Sequence, residues 1–278
     1  LLPAHEAAFQ VLSQTAVQLN EFRRCGLLRI VEEFLTLFTA QVREEELDFL
    51  GQRIPVPNYD RDAFREALIN ALVHRDYTRL GAVHVQVHDR ELRISNPGGF
   101  VEGVTPANIL VTPPRPRNPL LADVAKRIGL AERTARGVDR IYESCVRYGR
   151  MPPSYAGSDQ ALVDLRIPGG DADLDLLRCV LEHERRSGST LPVDSLIILS
   201  ALRREQHLDV ERLAPLVQRD AAATRATLDS LVEAGLVAAH GRTRGRTYTL
   251  APAVFQQLGD PAAFVRQAGF TPIQQEQV

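Results

Sequence analysis

Residues 64–77 read FREALINALVHRDY, and this stretch carries two periodic patterns at once. Phe64, Leu68, Ala71 and Leu72 recur at helical spacing and predict a stripe that faces a core. Glu66, Asn70 and His74 are four residues apart, so they stack one above another on a different face of the same helix. Asparagine is a weak helix former whose amide competes for backbone bonds. Its position in mid-helix, one turn from a carboxylate, is either incidental or has a use. An amide oxygen suits Mg²⁺, which takes oxygen ligands in octahedral geometry and is commonly shared with substrate phosphates. A carboxylate one turn away can orient or deprotonate a water for attack on a terminal phosphate. The end of the stretch has two readings. His74, Arg75 and Asp76 cap the helix and pair with one another, or His74 meets a ligand; Tyr77 reads as core packing.

Asp60 is placed to cap this helix. Upstream, AAFQVLSQTAVQL reads as a strand without a local partner, and Leu27–Leu50 as one long amphipathic helix with VREEELD on its solvated face. Downstream, Val83, Val85 and Val87 alternate with His84, Gln86 and His88, then a turn at Asp89-Arg90 leads into a strand through Leu92 and Ile94. His84 and His88 stand about 13 Å apart along such a strand, too far for one metal ion. SNPGGF ends the hairpin, VTPPRPRNP is a proline-rich loop, LLADVAKRIGL and GVDRIYESCVRYG read as helices, and ALVDLRIP as a closing strand. Gly169-Gly170 marks a boundary.

With 278 residues the chain has room for about two domains at ~100–200 residues each. Its 33 basic and 35 acidic residues argue against a protein that coats nucleic acid by bulk charge and leave room for a local basic patch. No run of about 18 apolar residues occurs, so no membrane span is expected. Cys25, Cys145 and Cys179 are isolated, which fits reduced thiols in a cytoplasm and argues against a zinc site. The start lacks the features of a signal peptide and an initiator Met, so the expectation is a piece of a longer protein.

After Gly170 the pattern changes to helices at LDLLRCVLEHERR, DSLIILSALRREQ, VERLAPLVQ and AAATRATLDSLVEAGL. A ribbon of LVAAH and RTYTL follows, with the Arg-rich tip GRTRG between its strands. Three helices and a two-stranded ribbon is the winged variant of the helix-turn-helix. Its recognition helix, 221–234, would offer Thr224, Arg225 and Thr227 to a major groove, and its wing Arg242, Arg244 and Arg246 to DNA phosphates. Asp220, Asp229 and Glu233 lie on or beside that helix, and winged helices also serve as docking or dimerisation modules.

A phosphate loop needs a lysine after its second glycine. Lys126 is the only lysine and follows ADVA, so this chain holds no P-loop helicase motor. The motifs REALINALVHRDY, ISNPGGF, RNPLLADVAKRIGL and GVDRI together resemble a bacterial family with a GHKL-type (Bergerat fold) ATP-binding domain, known as RecG-related ATP-binding proteins or predicted transcriptional regulators. Family members run from a Schlafen/AlbA-type DNA-binding domain through the ATP-binding domain to a winged helix. The resemblance is close over residues 59–168 and extends to the flanks in layout only. It implies Asn70 as the Mg²⁺ ligand and Glu66 as the catalytic carboxylate, with His74 beside them at the nucleotide. Asn96 stands where other GHKL proteins carry an aspartate under the adenine, and Gly98 and Gly99 would give the backbone its close approach. The loop 100–117 would be the lid, with Arg117 and Asn118 near phosphate. Gly137 would begin a helix whose free N–H groups favour phosphate. Ala135-Arg136-Gly137-Val138 departs from the family's G-S-G-I, and Arg136 either contacts phosphate or blocks it.

The expectation is thus an α+β chain: a tail of an upstream AlbA-like domain with a linking helix at 1–51, a GHKL-type two-layer α/β sandwich at 52–170, a winged helix-turn-helix domain at 171–251 and a tail at 252–278. Its expected function is ATP- and Mg-dependent, DNA-binding transcription regulation in the cytoplasm, with a homodimer as one arrangement and the oligomeric state open. The alternatives are a weak Mg-dependent ATPase of DNA metabolism and a degenerate scaffold that binds no nucleotide.

Overall fold

The structure, a computed structural model, describes residues 5–13, 16–131, 136–205, 207–241 and 245–257. They fall into two compact units, one of residues up to 145 with 151–172, the other of 146–150 with the chain from 173. The elements of the first are β1 (His5–Ser13), β2 (Ala16–Cys25), α1 (Leu27–Thr39), β3 (Glu44–Phe49), β4 (Gln52–Pro57), α2 (Arg61–His74), β5 (Val83–Val87), β6 (Glu91–Pro97), α3 (Pro119–Arg127), α4 (Gly137–Val146) and β7 (Leu162–Pro168). Five strands make one sheet in the order β2-β1-β5-β6-β7, antiparallel throughout except for the parallel pair β1–β5. The class is α+β, as expected.

Alternation along each strand sorts the sheet into two faces. Phe9, Val85, Ile94 and Leu165 lie in register across four strands, and Val11, Val87, Leu92 and Ile167 make the next such row. All eight are buried. Helices α1 and α2 pack on this sheet, Phe34 of α1 meeting Phe9 edge to face at 5.4 Å. The opposite face carries a polar row, in which Gln86 donates to Gln10 at 2.9 Å and Gln10 to Asn20 at 3.2 Å.

The structure corrects the sequence reading of residues 1–51. AAFQVLSQTAVQL holds parts of two strands: β1 pairs with β2 beside it and with β5, Phe9 opposite Val85. The strands β1 and β2 share one sheet with β5, β6 and β7 and lie in one compact unit with residues 52–170. The helix expected over 27–50 stops at Thr39, because its buried positions, Leu27, Ile30, Val31, Phe34 and Phe38, end there. VREEELD is no helix face; it enters β3, which pairs with β4 through a two-residue turn at Leu50 (φ 54°) and Gly51 (φ 77°). Positive φ at both turn positions matches the twist of a tight hairpin. Asp60 caps α2 as expected, accepting from the Ala63 N–H at 2.8 Å. Gly169, expected at a boundary, is fixed inside the first unit, since a Cβ there would overlap the ring of buried Tyr59.

The second unit runs α5 (Leu174–Ser187), α6 (Val193–Arg204), α7 (Val210–Val217), α8 (Ala221–Glu233), β8 (Val237–His240), β9 (Thr247–Leu250) and α9 (Pro252–Gln257). Asp173, Asp209 and Asp220 each accept from a backbone N–H three residues on and start α5, α7 and α8. Helix α6 is buried continuously from Ser195 to Leu202 and forms the centre. The strands β8 and β9 pair antiparallel, and Leu208 bridges to Tyr248. The expected order of three helices and a ribbon is present from α6 to β9, with α5 ahead of it. No helix among the described residues is long and apolar enough to cross a membrane.

Candidate functional site

A cavity of about 250 Å³ lies within the first unit. Its wall is α2, its floor the ends of β6 and β7, its cover the loop 99–116, and its far side α3 and the start of α4. Glu66, Asn70 and His74 all line it, so the second stripe of FREALINALVHRDY faces one space, as the four-residue spacing required. Glu66 is 2% exposed, and the Arg65 guanidinium stands 3.9 Å from its Oε1. Asn70 is half-buried, and its amide makes no hydrogen bond among the described residues. Burial first, and the Arg117 guanidinium second, hold the His74 imidazole below its usual range, so it is neutral at pH 7.

Gly137 opens α4 directly opposite this stripe. A Cβ at that position would stand 2.6 Å from Glu66 Oε2 and 3.7 Å from Asn70 Nδ2. Glycine there keeps the space between the carboxylate, the amide and the helix N-terminus clear. Asn96 is buried at the end of β6 and lines the floor. Its Nδ2 donates a long 3.4 Å bond to the Pro97 carbonyl, and its Oδ1 is an acceptor.

Other residues expected at the site do different work. The last carbonyls of a helix have no partner within it. Here Asn118 Nδ2 donates to the Val73 and Arg75 carbonyls at 2.7 and 2.8 Å, and Arg117 Nε to that of His74 at 3.1 Å. Arg117 Nη2 also donates to the Gly99 carbonyl at 2.6 Å. The pair caps α2 and anchors the end of the covering loop, and neither side chain lines the cavity. This corrects their expected place at phosphate. Replacing Asn118 by alanine leaves buried carbonyls unpaired, and thermal or urea unfolding should show a loss of about 1–3 kcal/mol.

The two glycines also have a different reason. Gly98 adopts φ 92°, and a Cβ on it would stand 2.5 Å from Asp76 Cβ. A Cβ on Gly99 would collide with the backbone at Asp159-Gln160. Both pack against their own chain, with Gly98 N–H donating to the Ala161 carbonyl at 2.7 Å; Gly99 alone of the two lines the cavity. Arg136 is exposed and does not line it, while Ala135 lies outside the described residues. Arg75 and Tyr77 are structural: the guanidinium stands 4.8 Å over the Tyr77 ring, and Tyr77 donates to the Leu72 carbonyl at 2.8 Å. Burial pushes the Tyr77 phenol up to about 12.

Sequence reasoning missed Tyr155, Asp139 and Lys126, which also line the cavity. Tyr155 is buried against Phe100 at 5.6 Å, and burial pushes its phenol up, so it stays protonated. It comes from PPSYAGS, a turn with no periodic signal. Lys126 stands one turn after Ala122 on α3, so the two share a face of that helix; nothing in the sequence pattern marked Asp139.

In the second unit, Thr224 is fully buried and donates to the Asp220 carbonyl at 2.8 Å. It holds the first turn of α8 and faces no groove, which corrects that expectation. Arg225 is exposed and Thr227 half-exposed. Arg246 stands 3.7 Å from Asp229 and 5.3 Å over the Tyr248 ring. Arg242 and Arg244 lie outside the described residues.

These geometries stand beside known proteins as follows. Residues 81–165 match the family model described as "Putative ATP-dependent DNA helicase recG C-terminal", an ATPase-like, RecG-related domain. The match holds Asn96, Lys126 and Gly137, whereas Glu66, Asn70 and His74 lie upstream of it. The crystal structure of the DIP2311 protein from Corynebacterium diphtheriae is similar in fold, with a TM-score of 0.75 and 24% identity over 92% of this chain. The present chain spans 53% of that protein's length. A MarR family transcriptional regulator from Silicibacter pomeroyi is 25% identical over 35% of this chain and 69% of its own, and its TM-score of 0.23 carries no argument. No curated protein matches.

Proposed function

We propose that the first unit is a GHKL-type sandwich that binds ATP with Mg²⁺, and that the second is a winged helix through which the protein binds DNA as a transcriptional regulator. The observation that carries the nucleotide reading is the convergence of Glu66, Asn70 and His74, upstream of the RecG-related, ATPase-like match, with Asn96 and Gly137, inside it, on one cavity.

The residues fit both groups. Mg²⁺ takes oxygen donors, and Glu66 and Asn70 offer a carboxylate and an amide oxygen one turn apart, next to space that any side chain at 137 would fill. Bound there, the ion would neutralise phosphate charge and polarise the terminal phosphate. Asn70 would hold the ion, and Glu66 would orient a water. Asn96 Oδ1 would accept from an exocyclic amino group of the base, with Ile94 and Val163 as apolar walls. The cavity is smaller than the roughly 300–1,000 Å³ of drug-sized ligand sites, so a triphosphate would place its charged end at the mouth or displace the loop 100–116. Calorimetric titration of ATP with and without Mg²⁺ tests the reading. Mg²⁺-dependent binding supports it, and a flat titration of the intact chain removes it in favour of a scaffold.

For DNA, the order α6-α7-α8-β8-β9 and the exposed Arg225 support the proposal. Arg225→Ala should weaken binding to a preferred duplex by about 1–3 kcal/mol and narrow its preference over a random duplex, with a smaller slope of log affinity against log salt. An unchanged affinity and slope would remove α8 as the contact.

A further inference from the structure

Lys126 is the chain's single lysine; apart from histidine, every other basic side chain is arginine. It lies on α3 one turn after Ala122, and both line the cavity, while Leu120 and Val124 on the same helix are exposed. Lys126 is half-buried. Among the described residues its ammonium has neither an ion pair nor a hydrogen bond. The acid beside it, Asp123, is taken by Arg127 at 2.9 Å. The other cation at the cavity, Arg115, is exposed and donates to the Glu102 carbonyl at 3.2 Å.

A cation drawn partly out of water without a partner is unfavourable. A bound anion offsets that cost, and an ammonium on a flexible stem meets phosphate as a point charge with three donors. The remaining charged groups on the lining, Glu66 and Asp139, are acidic and would repel a phosphate chain unless cations accompany it. We propose that Lys126 is the side chain that contacts the nucleotide's phosphates, acting with the ion held at Asn70, so that this site selects for the phosphate chain. The inference rests on the ATP-binding reading and deepens it: affinity at this cavity follows the number of phosphates, and Lys126 sets that dependence.

The test titrates adenosine, ADP and ATP, each with Mg²⁺, into the intact chain and into its Lys126→Met and Lys126→Arg forms. Lys126→Met should weaken ATP by about tenfold to a hundredfold, the range of a charge-assisted bond, and leave adenosine unchanged; Lys126→Arg should recover part of the loss. A second readout needs no substitution. Reductive methylation of the intact chain, followed by mass spectrometry of the peptide with Lys126, should slow when ATP is present and proceed at its free rate with adenosine. ATP affinity unchanged in Lys126→Met, or adenosine weakened in step with ATP, overturns the inference and leaves the nucleotide site standing. Failure of the intact chain to bind any of the three removes the nucleotide reading and this inference with it.

Discussion

Asn70→Ala is expected to abolish the Mg²⁺-dependent part of ATP binding while leaving the protein at least as stable as before. The argument rests on what Asn70 does and does not touch. Its amide lines the cavity and makes no hydrogen bond among the described residues, so its removal breaks nothing in the fold. Alanine is the better helix former by a few tenths of a kcal/mol, which should hold or slightly raise the melting temperature. Loss of even an outer-shell partner of a metal ligand costs about 10–100-fold in affinity, and a direct ligand should cost no less. Glu66→Gln separates binding from chemistry. It should bind ATP–Mg²⁺ and release no phosphate, if the intact chain releases any. Equal ATP binding by the Asn70→Ala form with and without Mg²⁺, at the affinity of the intact chain, would remove Asn70 as the ion's ligand.

Phe38→Ala is expected to destabilise the first unit by about 3–5 kcal/mol, the usual cost of emptying a buried aromatic site. Phe38 is fully buried on α1, stacked on Phe64 of α2 at 3.9 Å between ring centroids, and 6.2 Å from the Tyr59 ring. At roughly 2–4 °C per kcal/mol for a domain of this size, the melting transition should fall by roughly 6–20 °C. The substitution discriminates between two pictures of the N-terminal segment. If residues 1–51 were a tail with a linking helix, α1 would be dispensable and the nucleotide-site transition would hold. Because α2 carries Glu66 and Asn70 on one face and leans on Phe38 through another, the melting transition of the whole unit should fall, and an unchanged transition would remove α1 from its core.

Within α2 the sequence alone was sufficient. Two periodic stripes, an aspartate cap and the direction of Glu66, Asn70 and His74 follow from local geometry, since 3.6 residues per turn fixes which side chains stack. The β5–β6 hairpin, the helical runs from Leu120 and from Gly137 and the order of elements from α6 to β9 were local in the same sense. What was not local was misread or missed. The β1–β5 pairing joins residues more than seventy apart and has no signature beyond a strand-like run, so an integral part of the sheet read as a leftover tail. The end of α1 was blurred because acidic residues suit an exposed strand as well as a helix face. Arg117 and Asn118 looked like phosphate ligands, and only the folded chain brings them to the unpaired carbonyls of α2. Gly98 and Gly99 announced a close approach, and the tertiary structure decided that the approach is to Asp76 and residues 159–160. Lys126 was dismissed for lacking a phosphate loop; its inward position on α3, with no partner among the described residues, depends on where that helix packs. The sequence determined which side chains share a helix face or a strand face. Only the tertiary structure decided which of those faces meet, because that choice belongs to contacts between residues far apart in the chain.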